Sequence, residues 1–177
     1  MKPEHFDEND KNIYVRQFVS PEDNLVRDVL KQLKNIKVPT NYDRLNSGVG
    51  RSITLGLQND RYHHRYHSSR FTDKFPELQK AVFALGKKIC PFPFTSVQVN
   101  HNYKTKHHYD ENNDGMSVII GLGDYTGGQI VVDGKPYDIK YRPIAFNGSL
   151  HKHQTLAFKG DRYSLVFFKL NPRFKPE

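Results

Sequence analysis

A single cysteine, Cys90, leaves this chain of 177 residues without an internal disulfide framework or a multi-cysteine zinc knuckle. No apolar run approaches the ~20 residues that a membrane span needs. The opening MKPEHFDENDKNIY is polar and acidic and lacks the apolar core of a secretory signal peptide. There is no internal repeat and no low-complexity tract. One glycine pair, Gly127–Gly128, invites comparison with a phosphate cradle, but it has neither Walker spacing nor a G-x-G-x-x-G pattern and reads as a hairpin turn. These absences leave the expectation of a soluble, intracellular protein of one domain, long enough to bury a core without covalent staples.

Positive charge is in excess. Lys and Arg total 27 against 19 Asp and Glu, a formal net charge of +8, which favours polyanionic partners. The excess is conspicuous over residues 41–70, where Arg44, Arg51, Arg61, Arg65 and Arg70 are offset only by Asp43 and Asp60. Tyr42, Tyr62, Tyr66, His63, His64 and His67 are interleaved with them. Guanidinium groups pair with phosphate and aromatic rings stack on bases, so this segment is a candidate nucleic-acid contact; the same composition also describes a solvated surface loop.

Residues 1–12 read as a loose tail. Ser20 with Asp23 makes a capping-box-like pair around Pro21, and Leu25, Val29, Leu33 and Ile36 then share one helical face until Pro39. A second helix is expected over Pro76–Ile89, burying Leu78, Val82, Phe83 and Leu85. After the CPFPF break at 90–94 the apolar period falls to two. Ser96–Tyr103, Met116–Leu122, Gln129–Val132, Tyr137–Lys140, Ile144–Phe146 and Tyr163–Leu170 read as strands, with Ser52–Leu57 as an earlier one and turns at 127–128, 133–134 and 147–148. Helices followed by many short strands predict an α+β protein whose body is a sandwich or barrel. Residues 13–94 form the helical support and substrate-side segment, and 95–170 the β-rich core.

The chemistry concentrates in that core. In an extended strand residues i and i+2 share a face, so His108 and Asp110 can offer an imidazole nitrogen and a carboxylate oxygen to one ion, while His107 points the other way. A distant histidine would complete a two-histidine, one-carboxylate face, the arrangement that suits non-haem Fe(II) and dioxygen. His151 and His153 both qualify, since an extended segment puts them on one side. Further on, Arg162-Tyr163-Ser164 opens the last strand. Its apolar neighbours Leu165, Val166, Phe167 and Phe168 predict burial, where an unpaired arginine is expensive and a bound carboxylate answers the cost. In the strand before the His-Tyr-Asp run, Asn100 and Asn102 share a face, and Tyr103 points away unless a bulge intervenes.

The His108-Tyr109-Asp110 run, the distal His153 and the Arg162-x-Ser164 pair together resemble the iron- and 2-oxoglutarate-dependent oxygenases. That resemblance implies a double-stranded β-helix (jelly roll) over roughly residues 95–170 with supporting N-terminal helices. It implies Fe(II) on His108, Asp110 and His153, with the spacing to Arg162 favouring His153 over His151. It implies 2-oxoglutarate chelating the iron with its far carboxylate on Arg162 and Ser164, and O2 as the other co-substrate. By the same resemblance, Tyr103 and then Asn100 are the residues of the preceding strand expected to touch co-substrate or substrate. HYDENN at 108–113, GDYTGG at 123–128, RPIAFNGSLHKH at 142–153 and GDRYSLVFF at 160–168 are similar to the Tet/JBP group, which oxidises the methyl of thymine or 5-methylcytosine. The function implied is a dioxygenase hydroxylating a C–H bond of a nucleic-acid base. Hydroxylation of a peptidyl side chain such as proline, or of a small molecule, is the alternative, and a non-enzymatic nucleic-acid-binding module with a structural metal is a third reading.

Overall fold

The structure is a computed structural model and describes residues 12–15, 18–44, 47–60, 65–110, 113–171 and 175–176. Strand β1 (Tyr14–Val15) precedes helix α1 (Asn24–Lys34), and a 3-10 turn at Tyr42–Arg44 leads into the long strand β2 (Gly48–Asp60). Then follow β3 (Arg65–Ser68), α2 (Arg70–Lys74) and α3 (Pro76–Ile89). The remaining strands are β4 (Ser96–Thr105), β5 (Ser117–Gly127), β6 (Ile130–Val132), β7 (Lys135–Tyr137), β8 (Ile144–Phe146), β9 (His153–Thr155), β10 (Phe158–Phe168) and β11 (Lys175–Pro176). The loose-tail expectation for 1–12 falls almost wholly outside the described residues.

Helix α3 occupies the expected span, with Pro76 in the first turn, where its missing N–H is no loss. Helix α1 begins later than expected. Asp23, not Ser20, caps it by accepting the Leu25 N–H at 2.9 Å, while the Ser20 hydroxyl takes the Glu22 N–H at 3.1 Å in the turn before. The fully buried stripe of α1 is therefore Val26, Val29 and Leu33, with Leu25 and Ile36 only partly covered. β3 and α2 carry no clear periodic signal because each is only four or five residues long.

Eleven strands among the described residues build two sheets. The larger has the order β1-β8-β5-β10-β4-β2-β3-β11, and the smaller is β7-β6-β9. β10 lies centrally, antiparallel to both β5 and β4, so residues near its middle are shielded on both edges. Helices α1 and α3 cover one face of the large sheet, where Val26, Leu33, Leu78, Val82 and Leu85 join Val97, Val99, Val118, Ile120, Leu165 and Phe167 in one apolar cluster. The opposite face meets the small sheet through Ile119, Ile144 and Phe146 against Ile130, Val132 and Ile139. The two sheets do not close into a barrel, and the space between their ends is where the candidate residues converge. Among the described residues, no helix is long and apolar enough to cross a membrane.

Candidate active site

The His-Tyr-Asp run does not lie on a strand. β4 ends at Thr105, and His108 instead forms an isolated antiparallel bridge with His153. Their backbones exchange two hydrogen bonds, each 3.0 Å, so the two imidazoles leave the chain side by side with ring centres 4.2 Å apart. Asp110 reaches the same point because its N–H is held by the Gly148 carbonyl at 2.9 Å. The shared location expected for 108 and 110 is thus produced by cross-chain hydrogen bonds and not by strand alternation.

Each imidazole is oriented by the backbone. His108 Nδ1 lies 2.7 Å from the Lys106 carbonyl and His153 Nδ1 lies 2.8 Å from the His151 carbonyl. A ring nitrogen that donates to a carbonyl leaves its Nε2 as the free lone pair, which is how metal-ligating histidines are held. Both Nε2 atoms then point at Asp110, at 3.4 Å from Oδ1 and 3.4 Å from Oδ2 respectively. One donor atom from each residue falls within 4.8 Å of the others, a group able to hold a metal ion. Burial alone would raise the Asp110 carboxyl, but the facing imidazoles outweigh it and hold the group well below the usual carboxylate range. Burial likewise pulls His108 down, and Asp110 more than reverses this, leaving it raised. His151 is absent from the cluster: its Nδ1 pairs with Asp133.

Gly148 makes the geometry possible. A Cβ there would collide with Asp110 Oδ2 and sit 3.0 Å from Asp110 Cγ and 3.2 Å from His153 Cε1. Asn147 shapes the turn around it, accepting the Ser149 N–H on its side-chain oxygen while its backbone carbonyl takes the Leu150 and His151 N–H groups.

Arg162 is 1% exposed. One terminal nitrogen donates to the Gly128 carbonyl at 3.0 Å, its Nε has no partner, and no carboxylate pairs with it among the described residues. Burial lowers its pKa. Room for the side chain comes from glycine: Arg162 lies opposite Gly123 and Ser164 opposite Gly121, and a Cβ on Gly128 would come within 2.6 Å of Arg162 Nε. Ser164 is buried and accepts a hydrogen bond from Asn100 Nδ2 at 3.1 Å.

Tyr103 also turns inward, through a bulge. Asn102 has φ of 49° and the β2–β4 register shifts between Val49 and Arg51, so Asn102 swings out and Tyr103 joins the face of Asn100. The expected pairing of Asn100 with Asn102 on one face is therefore corrected. The Asn102 carboxamide instead accepts the Arg162 backbone N–H at 2.8 Å where β4 bulges away.

A residue absent from the expected site completes this wall. Arg44 donates to Ser52 at 2.6 Å and to the Asn100 carboxamide oxygen at 2.8 Å, and its guanidinium lies 4.4 Å from the centre of the Tyr103 ring. Tyr103 Oη donates back to the Arg44 carbonyl at 2.7 Å. Burial lowers the Arg44 pKa, while Tyr103 and Asp110 oppose that. The only sequence signal for Arg44 was its place in a basic segment. Asn113 Nδ2 donates to the Ser117 hydroxyl at 3.3 Å.

Among the described residues, the basic segment 41–70 is divided between the two ends of β2. Tyr42 and Arg44 sit at the end of β2 that pairs with Thr105, beside the cluster, while Arg65, Tyr66 and His67 pair with the opposite end. At ~3.3 Å per residue the 13-residue strand separates them by up to about 40 Å. Arg61, Tyr62, His63 and His64 lie outside the described residues.

A scan against protein-family models and a search of curated proteins each find no match. Solved structures do match. NgTET1 in complex with 5mC DNA superposes with a TM-score of 0.65 at 13% identity, over 93% of this chain and 74% of that one. A 2OG-Fe(II) oxygenase family protein from Burkholderia pseudomallei matches with a TM-score of 0.57 at 16% identity, over 93% and 88%. A Pseudomonas putida prolyl-4-hydroxylase matches with a TM-score of 0.52 at 13% identity, over 90% and 92%. The chain therefore has the jelly-roll fold of the 2OG-Fe(II) oxygenases, as its sequence resemblance implies.

Proposed function

We propose that this protein is an Fe(II)- and 2-oxoglutarate-dependent dioxygenase that hydroxylates a C–H bond of a nucleic-acid base, of the methyl-pyrimidine class. One observation carries the chemistry: two imidazoles with Nδ1 tied to backbone carbonyls turn their Nε2 atoms on one ionised carboxylate, and the buried Arg162 pairs with no carboxylate among the described residues. The donor set fits a ferrous ion, since one carboxylate and two neutral imidazoles leave three octahedral positions open. A structural zinc site is normally closed by four ligands, so a non-enzymatic metal module fits poorly. His108, Asp110 and His153 hold the iron, and Arg162 with Ser164 receives the far carboxylate of 2-oxoglutarate. Bound there, iron supplies the redox chemistry by which one oxygen atom of O2 enters succinate, with loss of CO2, and the other enters the substrate C–H bond.

The residues of the chain do the positioning. The Gly148 carbonyl and the His108–His153 bridge fix the ligands before metal arrives, so little order is lost on binding. Arg44 ties Asn100 to Ser52 and supports Tyr103, and Asn100 in turn holds Ser164. This chain of bonds links the metal side of the pocket to the carboxylate side.

Support for a nucleic-acid substrate comes from the surface near the cluster. Lys104, Lys106 and Lys152 are exposed within a few residues of the metal ligands, and Tyr42 and Tyr109 are 79% and 51% exposed. Cations and free aromatic rings together suit phosphates and an unstacked base. NgTET1, with the same fold, is described in complex with 5mC DNA. The prolyl-4-hydroxylase likeness supports peptidyl hydroxylation as the second reading. The test incubates the iron-loaded protein with 2-oxoglutarate, air and either oligonucleotides bearing thymine or 5-methylcytosine or proline-containing peptides, and reads added oxygen by mass spectrometry. Oxygen on the base supports the proposal, and oxygen on peptide alone replaces it with the second reading. If the three lysines each neutralise a phosphate, single-strand affinity should fall by about two decades per decade of salt; a flat salt response contradicts the nucleic-acid reading.

A further inference from the structure

His151 lies two residues before His153 and takes no part in the metal cluster. Its ring Nδ1 pairs with the Asp133 carboxylate. An ionised carboxylate only accepts, so Nδ1 is the donor. The other ring nitrogen, Nε2, is buried and has no hydrogen-bond partner. The backbone of His151 is bonded on both sides. Its N–H donates to the Asn147 carbonyl at 3.0 Å, on the turn whose Gly148 carbonyl holds Asp110. Its own carbonyl, 2.8 Å from His153 Nδ1, orients the His153 imidazole. Asp133 sits on the two-residue turn between β6 and β7, where Asp133 and Gly134 have φ of 49° and 81°. The Asp133 N–H donates to the Lys152 carbonyl at 3.0 Å. One turn residue thus grips the chain on either side of the 151–152 peptide, by the ring before it and the carbonyl after it. That peptide carries the oxygen on which His153 Nδ1 rests.

We propose that Asp133 and His151 form a positioning pair for the metal site: Asp133 anchors the His151 ring, the anchored ring fixes the 151–152 peptide, and the carbonyl of that peptide holds the His153 imidazole with Nε2 turned to the ion. The inference rests on the reading of His108, Asp110 and His153 as metal ligands, and it adds two residues that touch neither metal nor substrate. Only one ring nitrogen of His151 is bonded, so a side chain with a donor at the Nδ1 position can stand in for it. Asparagine places its Nδ2 there, and leucine has no donor. A His151 that only fills space makes the opposite demand, because leucine then suits the covered position better than asparagine.

The test measures Mn(II) binding by calorimetry and the ligand-field absorption of the Co(II)-substituted protein. His151→Leu should weaken Mn(II) binding on the order of 10-fold, the scale on which the partners of ligating histidines act, and should shift the Co(II) bands. His151→Asn should keep the affinity and the bands of wild type. Asp133→Gly removes the carboxylate at a half-exposed turn whose left-handed backbone suits glycine, and it should match His151→Leu. The double variant should lose no more than either single one, because the two residues act as a unit. Wild-type Mn(II) affinity in Asp133→Gly or His151→Leu overturns the pairing, as do losses that add in the double variant, a His151→Asn protein as weak as His151→Leu, or weakened binding with unmoved Co(II) bands. If His151→Leu does not fold, Asp133→Gly decides by the same readouts. Wild type that binds no Mn(II) overturns the metal-site reading itself, and the role of the pair with it.

Discussion

Arg162→Met separates a binding arginine from a structural one. In the unliganded protein the guanidinium is 1% exposed, holds one backbone carbonyl and meets no carboxylate among the described residues. Replacing buried ionic groups by apolar side chains of similar volume is neutral or stabilises by up to about 4 kcal/mol. At ~2–4 °C per kcal/mol for a domain of this size, the unliganded Tm should hold or rise by up to roughly 15 °C. With 2-oxoglutarate the sign reverses. The distal carboxylate then loses a buried charged partner, costing about 2–5 kcal/mol, or roughly 30- to several-thousand-fold in affinity. Differential scanning calorimetry of the Mn(II)-loaded variant, with and without 2-oxoglutarate, reads both effects. A variant that melts several degrees lower than wild type without ligand, yet still gains stability from 2-oxoglutarate, refutes the reasoning.

Gly148→Ala should reduce Mn(II) affinity on the order of 10- to 100-fold, because the new methyl displaces the Asp110 carboxylate; fluorescence-monitored titration checks this, and unaltered affinity contradicts it. Arg44→Leu should lower stability by about 1–3 kcal/mol in urea unfolding, since Ser52 and Asn100 lose a charged donor and Tyr103 its stacked guanidinium. In metal-free protein His108 is raised above the ~6.5 of free imidazole, so its contribution to stability is full below that pH and is lost as pH rises through the shifted value. Asp110 is depressed and contributes above the ordinary carboxylate range, losing that contribution only in strong acid. Metal must displace the His108 proton, so Mn(II) affinity should still be climbing with pH above 6.5; a titration flat from pH 6 to 8 contradicts this.

Residue types and their order single out His108, Asp110 and His153, which the structure brings together, but not the way they are assembled. His108, Asp110 and His153 stood out because two imidazoles and a carboxylate with a downstream arginine suit one kind of chemistry. Strand alternation predicts a shared face for 108 and 110, yet the pair lies beyond β4 and is held by the His153 and Gly148 backbones, which no local pattern announces. Tyr103 reaches the pocket only because Asn102 adopts a left-handed conformation, a choice that depends on its bond to the Arg162 N–H from another strand. Arg44 was invisible for a related reason: an irregular turn delivers it. Helices α1 and α3 were legible from periodicity to within a few residues, while the five-residue α2 was not, and the misplaced start of α1 came from Ser20 and Asp23 both being good caps. The described residues of the basic stretch 41–70 fall at both ends of the 13-residue β2, so contiguity in sequence is not contiguity in space.

The most direct measurement is conversion of 2-oxoglutarate to succinate and CO2 under air, compared between wild type and Asp110→Ala, with and without Fe(II). Iron-dependent succinate from wild type, abolished in Asp110→Ala and restored by no added metal, is the predicted result. Succinate that ignores iron, or an Asp110→Ala rate equal to wild type, would contradict the assignment of His108, Asp110 and His153 as an iron site.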